Sequence, residues 1–162
     1  MSAIMSRHIS LRPASLEDVR RLYEWRNEAE TCAASFNTAP IVYEDHLRWF
    51  ENKVVDPKTR FLIATLADGR AVGYARFDLK GDEAEIHLSI DKTQRGKGIG
   101  TVLIRTAAEF AVTELHVRRV AARIKANNEV SLAAFSRAGF TFMWREEAGG
   151  DNIVCLCYEF LD

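Results

Sequence analysis

No charge of one sign prevails in this sequence: 22 Lys and Arg face 23 Asp and Glu, for a formal net charge of −1 over 162 residues. Such a balance leaves no whole-chain footprint for nucleic acid or a membrane surface, and neither is expected as a partner. Proline is scarce, with three residues, and repeats, low-complexity tracts and linkers are missing. Cysteine is scarce too. Cys32, Cys155 and Cys157 supply neither a disulfide framework nor a metal-ligand spacing, so no metal is expected. Cys155 and Cys157 alternate on a strand-like run and read as small buried apolar residues facing one side. An odd count without a framework fits a reducing compartment. Met1 to Ser10 holds no apolar run, so neither a signal peptide nor a membrane span is expected, and the location expected is cytoplasmic. The length suits a single domain over residues 1–162.

Regular elements fill what remains. His8 to Arg12 reads as a strand ended by Pro13. Ser15 followed by Glu17 and Asp18 reads as a helix start, with Leu16, Val19, Leu22, Tyr23 and Arg26 at helical spacing and an end near Glu30. Ser35 to Pro40 is a loop. Tyr43 to Val54 is a second amphipathic helix, ended by Asp56-Pro57. Phe61–Leu66, Ala71–Leu79 and Glu83–Ile90 form a meander whose first turn carries Asp68-Gly69. Ile99 to Val112 is a third helix and Arg118 to Lys125 a strand. A fourth helix starts at Asn128 and ends before Gly139. Phe140–Arg145 and Ile153–Phe160 are the last strands. The order is β-α-α-β-β-β-α-β-α-β-β, which implies a mixed α/β sheet covered by helices.

The stretch Arg95-Gly96-Lys97-Gly98-Ile99-Gly100 lies between a strand and a helix start. Glycines let the backbone come close to a ligand, and a helix N-terminus favours an anion. Arg95 and Lys97 add positive charge, so a phosphate or pyrophosphate is the expected guest. A P-loop needs Gly-Lys followed by Ser or Thr, and Gly98 follows here. A dinucleotide fingerprint needs G-x-G-x-x-G near the start of a βαβ unit, and here G-x-G-x-G falls in mid-chain. Arg-x-x-Gly-x-Gly, as Arg95, Gly98 and Gly100, resembles the acetyl-CoA pyrophosphate loop of the GNAT superfamily of acyl-CoA-dependent N-acyltransferases. Asn128-Glu129-Val130-Ser131, then Phe135 and Gly139-Phe140, resembles the second half of that coenzyme site. The element order is also similar to the GNAT fold over residues 8–160.

The resemblance implies a single-domain, mainly antiparallel mixed sheet of about seven strands with helices on both faces. It implies acetyl-CoA as co-substrate, held by Leu88, Ile90, Arg95, Gly96, Lys97, Gly98, Gly100, Thr101, Asn128, Ser131 and Phe135. The strand through Leu88 and Ile90 would splay from its neighbour and pair its backbone with pantetheine, with the Leu88 N–H polarising the thioester carbonyl.

Acetyl transfer to an amine needs a proton acceptor, since an alkyl ammonium has a pKa near ~10. Glu83, Glu85, His87 and Ser89 alternate with Ala84, Ile86, Leu88 and Ile90, which puts a polar face on the strand. Glu85 and His87 are the candidates. Many family members carry a tyrosine where this chain has Phe135. Tyr74, Tyr158 or water would then protonate the leaving thiolate, or the thiolate leaves without help, or the domain binds the coenzyme without catalysis.

Trp25-Arg26-Asn27 and Tyr43 to Phe50 resemble a narrower group. These are the N-acetyltransferases of nucleotide-linked amino sugars in the pseudaminic-acid pathway and, more loosely, the ribosomal-protein N-terminal acetyltransferases. This implies Arg26 and His46 at the nucleotide diphosphate, with Asn27, Tyr43 and Tyr74 nearby. The expected acceptor is therefore a small-molecule amine on a nucleotide sugar. Protein N-termini remain open, as do polyamines, which Glu28, Glu30, Glu44 and Asp45 would suit. Pairing of the last strands between protomers allows a homodimer.

Overall fold

A computed structural model describes residues 8–160. The stretch read for a leader, Met1 to Ser10, lies mostly outside the described residues. Among those described, seven strands form one sheet in the order β1-β2-β3-β4-β5-β7-β6. The strands are β1 (Ser10–Pro13), β2 (Thr59–Thr65), β3 (Ala71–Lys80), β4 (Glu83–Ile90), β5 (Arg119–Lys125), β6 (Thr141–Ala148) and β7 (Asp151–Glu159). Only β4 with β5 is parallel; every other neighbouring pair is antiparallel. The helices are α1 (Val19–Asn27), α2 (Ala29–Ala34), α3 (Tyr43–Val55), α4 (Ile99–Glu114) and α5 (Glu129–Arg137).

Alternation along the strands divides the core between the two faces of the sheet. Leu62 and Ala64 of β2 point toward α4 and α5, and join Phe77, Ile86, Leu103, Ile104, Val120 and Leu156 in the larger cluster. Phe61 and Ile63 point the other way and pack with Val19, Leu22 and Trp25 of α1 and Phe50 of α3. Helices therefore cover both faces, as the pattern of apolar residues requires. Cys155 and Cys157 are buried on β7, as expected of small apolar residues.

The order departs from expectation at one place. The first helix does not run to Glu30: it stops at Asn27, and a further helix, α2, follows. Glu28 makes the break. Its backbone is extended, with φ −64° and ψ 139°, and its carboxylate accepts from the N–H groups of Glu30 and Thr31 at 3.3 Å each. A carboxylate at a helix start satisfies free donors and suits the dipole, so a residue read as helix interior is an N-cap. A 3-10 turn, Leu16–Asp18, precedes α1.

Candidate active site

Strands β4 and β5 pair only where Glu83, Ala84 and Glu85 meet Arg119, Val120 and Ala121. Beyond that point they part, although β5 stays paired with β7 as far as Lys125 opposite Ile153. The Asp91 N–H bonds to Val72 on β3 at 2.8 Å. Backbone groups alternate along a strand, so Ser89 and His87 also turn theirs to β3, and Leu88 and Ile90 present theirs to the opening. The expected splay and open edge are present.

A cleft of about 430 Å³ follows this edge, walled by Leu88, Ile90, Gly96, Gly98, Gly100, Thr101, Asn128 and Ser131 among others. Gly98 is the N-cap of α4 in the left-handed region, φ 77°, and Gly96 has φ 74°. These positive angles aim the loop and the helix start at the cleft, and an L side chain at either would be strained. Asn128 caps α5, accepting from the Ser131 N–H at 3.2 Å, while it walls the cleft. Cap and contact are compatible roles for one amide.

The two loop cations are placed differently from each other. Lys97 is exposed and is not part of the wall. Arg95 turns its guanidinium to α2, donating to Glu30 and Glu28 at 2.8 Å each and to Thr31 Oγ1 at 3.2 Å. Those bonds hold the Glu28 carboxyl down to about 2, with Arg95 the first cause. Arg95 lines the cleft as expected, but its charge is shared with Glu28 and Glu30, so it also joins the glycine loop to α2.

A second cavity, of about 610 Å³, meets the first at Thr31, Ala34, Leu88, Asn128 and Ser131, which line both. Phe36, Trp49, Phe61 and Tyr74 line it together with Arg26, His46, Arg76, His87, Arg123, Lys125 and Phe135, and Asp45 is its one carboxylate. Of the expected acceptor residues, the structure brings together Arg26, His46 and Tyr74. Asn27 is directed elsewhere: its amide donates to the Ile41 carbonyl and accepts from the Ile41 N–H, both at 2.8 Å, fixing the loop before α3. Tyr43 packs edge-on against Tyr23 at 5.2 Å beneath Arg20, away from the cavity wall. Arg76, Arg123 and Lys125 were not among the expected site residues. The signal for the last two was their alternation on β5 against Val120, Ala122 and Ile124.

His46 is buried, and burial first, with Arg26 adding, lowers its pKa against an opposing contact from the Val19 backbone. It is therefore neutral near neutral pH. Burial raises the Tyr74 phenol while Arg76 and Arg26 pull the other way. Glu28 and Glu30 are held by Arg95, and Asp45 pairs with Arg48 at 2.8 Å, so the acidic cleft that a polyamine would need is not formed by these residues.

The two proton-acceptor candidates part company. His87 lines the second cavity and Glu85 does not. His87 Nε2 lies 3.1 Å from Asp78 Oδ2 on β3, outside hydrogen-bond alignment, and 3.7 Å from Glu85 Oε1. Contact with His87, then Arg76 and Lys53, holds Asp78 well below the usual carboxylate range. Phe135 is buried edge-on against Phe140 at 4.9 Å. Tyr158 packs against Phe140 at 5.6 Å and does not line the cavity, so Tyr74 is the phenol there.

Comparison with known proteins agrees with this fold. The family model described as an acetyltransferase (GNAT) domain matches residues 8–141. A Bacillus subtilis (strain 168) protein provisionally named a phosphinothricin acetyltransferase is 28% identical over 110 residues, which cover 64% of this chain. The chain spans 66% of that relative's length, just short of two thirds. The spermidine N-acetyltransferase of Vibrio cholerae, solved with CoA and spermine, superposes with a TM-score of 0.84 at 16% identity, over 93% of this chain and 95% of that one. An aminoglycoside acetyltransferase solved with coenzyme A and kanamycin superposes with a TM-score of 0.81 at 19% identity, over 94% of this chain and 95% of that one. At such identities the likeness to solved structures is one of fold.

Proposed function

This chain belongs to the acetyltransferase (GNAT) domain family, and on that premise we propose that it is an acetyl-CoA-dependent N-acetyltransferase acting on a nucleotide-linked amino sugar. The observation that carries the reading is the meeting of two cavities at Leu88, on the open edge of β4. One has the backbone character of a coenzyme cleft, and the other the side-chain character of an acceptor pocket.

Acetyl-CoA supplies the acyl thioester. Its fit to this chain rests on free backbone: the unpaired peptide groups of Leu88 and Ile90 suit an amide-bearing arm, and the loop Gly96–Thr101 at the start of α4 suits a diphosphate. Asn128 and Ser131 close the far side. The Leu88 N–H is the donor best placed to polarise the acyl carbonyl. His87, at the wall of the second cavity, takes the proton of the acceptor ammonium, directly or through water; the freed amine attacks the acyl carbon without a covalent enzyme intermediate, and as the C–S bond breaks the nitrogen gives its second proton to water. Phe135 has no proton to give. A CoA thiolate, with a pKa near ~8.5 like that of cysteine, leaves without one, or with help from Tyr74.

The lining of the second cavity supports the acceptor assignment. Aromatic walls suit a deoxysugar or a base, and Arg26 and His46 suit a diphosphate. A polycation would meet four cations and a single, already paired carboxylate. A small anionic amino acid is the second reading, favoured by the phosphinothricin acetyltransferase relative.

The test is an acceptor screen by mass spectrometry with acetyl-CoA and four acceptors: UDP-linked 4-amino-deoxysugars, phosphinothricin, spermidine and short peptides. Acetyl gain on the sugar nucleotide alone is the expected result. Gain on peptides or spermidine instead overturns the acceptor. Tight acetyl-CoA binding with no acetylated product across a broad amine panel would leave a coenzyme-binding module.

A further inference from the structure

Alternation gives His87 its face of β4, and the register with β3 gives it its neighbours. Arg76 lies opposite His87 in the antiparallel ladder, and Asp78 opposite Glu85. Side chains on one face of such a pair meet directly and along the diagonal. Nε2 of His87 accordingly lies 3.1 Å from Asp78 Oδ2 and 3.7 Å from Glu85 Oε1. That nitrogen is buried, whereas the side chain as a whole is 31% exposed and lines the second cavity. Asp78 is held independently of His87. Arg76 Nη2 donates to Oδ2 at 3.2 Å, Thr59 Oγ1 of β2 donates to Oδ1 at 3.4 Å, and Lys53 Nζ of α3 lies 3.7 Å from Oδ1. Groups from β2, β3 and α3 thus fix one carboxylate against the inner edge of the imidazole.

We propose that Asp78 is a positioning residue for acetyl transfer: it holds His87 with a proton on Nε2, so that Nδ1 is the nitrogen that takes the proton of the acceptor ammonium. The reason is charge. A neutral imidazole carries a proton on one nitrogen and a lone pair on the other. A lone pair on Nε2 would face two carboxylate oxygens with no donor bonded to it, whereas a proton there is attracted by both. Burial keeps an amine in the cavity from Nε2 in either tautomer, and Nδ1 belongs to the rest of the ring. When Nδ1 takes the proton, the ammonium becomes a neutral amine and the ring an imidazolium. Asp78 stays ionised against it. The nearby cations do not cancel this arrangement: Arg76 and Lys53 lie against Asp78 itself, and Arg123 across the cavity lies against Glu146. The inference rests on the proton-acceptor role given to His87 above. It also gives Glu85 a place, as the second and more distant carboxylate beside the base.

The first test needs no acceptor. The full chain is labelled with 15N, and long-range 1H–15N spectra of the histidine rings are recorded in mildly alkaline solution, with His87→Gln identifying the His87 signals. The expected result is the Nε2–H tautomer in the wild type and a larger share of Nδ1–H in Asp78→Asn. An Nδ1–H ring in the wild type, or an unchanged tautomer in Asp78→Asn, overturns the assignment. Should Asp78→Asn fail to fold, the wild-type spectrum decides. The second test is kinetic, with acetyl-CoA and a UDP-linked 4-amino-deoxysugar. Asp78→Asn should lower kcat roughly 10- to 100-fold and leave the KM for acetyl-CoA unchanged, and Asp78→Glu, which keeps the charge, should recover part of the loss. A lower melting temperature with kcat intact would make Asp78 a structural carboxylate and overturn its role. The two readings fail separately. If the spectra are as expected and His87→Gln keeps full kcat, the proton-acceptor role falls and the Asp78 contact stands. If His87→Gln is inactive and the wild-type ring is Nδ1–H, the role of Asp78 falls and the base stands.

Discussion

The two cavities that meet at Leu88 are made of different material. The cleft proposed for the coenzyme is built from backbone: two left-handed glycines, the first turn of α4 and an unpaired strand edge. The acceptor cavity is built from side chains on α1, α2, α3, β2, β3, β4, β5 and α5. Backbone sites depend on where the chain can bend, which only a few residues decide. Side-chain sites depend on convergence of distant segments, and each wall can change independently. One fold can thus keep one coenzyme and accept unlike amines, which matches the spermidine and aminoglycoside enzymes with which this chain shares its architecture.

The sharpest way to separate the regions is to disable one and watch the other. His87→Gln removes the one of the two candidates, Glu85 and His87, that lines the acceptor wall. The expected loss in kcat is about 10²–10⁴-fold, with acetyl-CoA affinity unchanged, measured by steady-state kinetics and direct titration. Glu85→Gln, off the wall, should change kcat far less. A reversed pattern, with Glu85 the costly loss, would move the role and break the division between an acceptor-side base and a coenzyme side made of backbone.

Gly98→Val probes the opposite half. The residue caps α4 at φ 77°, where a β-branched side chain is strained by roughly 1–3 kcal/mol. Acetyl-CoA binding should weaken roughly 10- to 100-fold, since that strain reorients the helix start. Acceptor affinity should persist. Equal acetyl-CoA affinity in the variant would mean that the loop is not the diphosphate site.

The same difference explains what could be read from the sequence. Gly96, Gly98, Gly100 and the helix that follows are contiguous, and their spacing alone marked an anion loop. The alternation of β4 marked its polar face, and the periods of α3 and α4 placed those helices within two residues of their observed ends. The extra helix α2 was missed because Glu28 has good helix propensity, and its role as a cap depends on Arg95 far along the chain. Arg95 was read from its glycine neighbours as a cleft residue, which it is, but its carboxylate partners on α2 lie far away in the sequence. Asn27 lies one residue from Arg26 and Tyr43 two residues from Asp45 in the sequence, yet their side chains are engaged away from the cavity. Arg76 was legible only as a strand residue, because its place over Trp49 needs β3 and α3 to be packed first.

The joint between the regions gives the smallest effect and the most specific one. Arg95 comes from the glycine loop, and its carboxylate partners belong to α2, whose Thr31 and Ala34 wall both cavities. Glu28 has its pKa lowered to about 2 in the folded chain from an ordinary value near 4.5. A lowered carboxylate stabilises the fold fully above its unfolded pKa, and that contribution is lost as pH falls through the folded value. The window therefore runs from about 4.5 down to about 2. The pair is partly exposed and screened, so about 1 kcal/mol is expected rather than the full value of the shift. Other paired carboxylates, Asp18 with Arg12 and Asp78 with His87, titrate low as well and lower the melting temperature over an overlapping range. The quantity to measure is thus the difference in melting temperature between wild type and Glu28→Gln as a function of pH. It should be constant above the window and shrink within it. Near neutral pH the same variant should weaken the acceptor and acetyl-CoA together, a few-fold each, because α2 loses its tie to the loop. A variant that weakened only one of the two would show that the joint holds a single wall, and that the cavities are set independently.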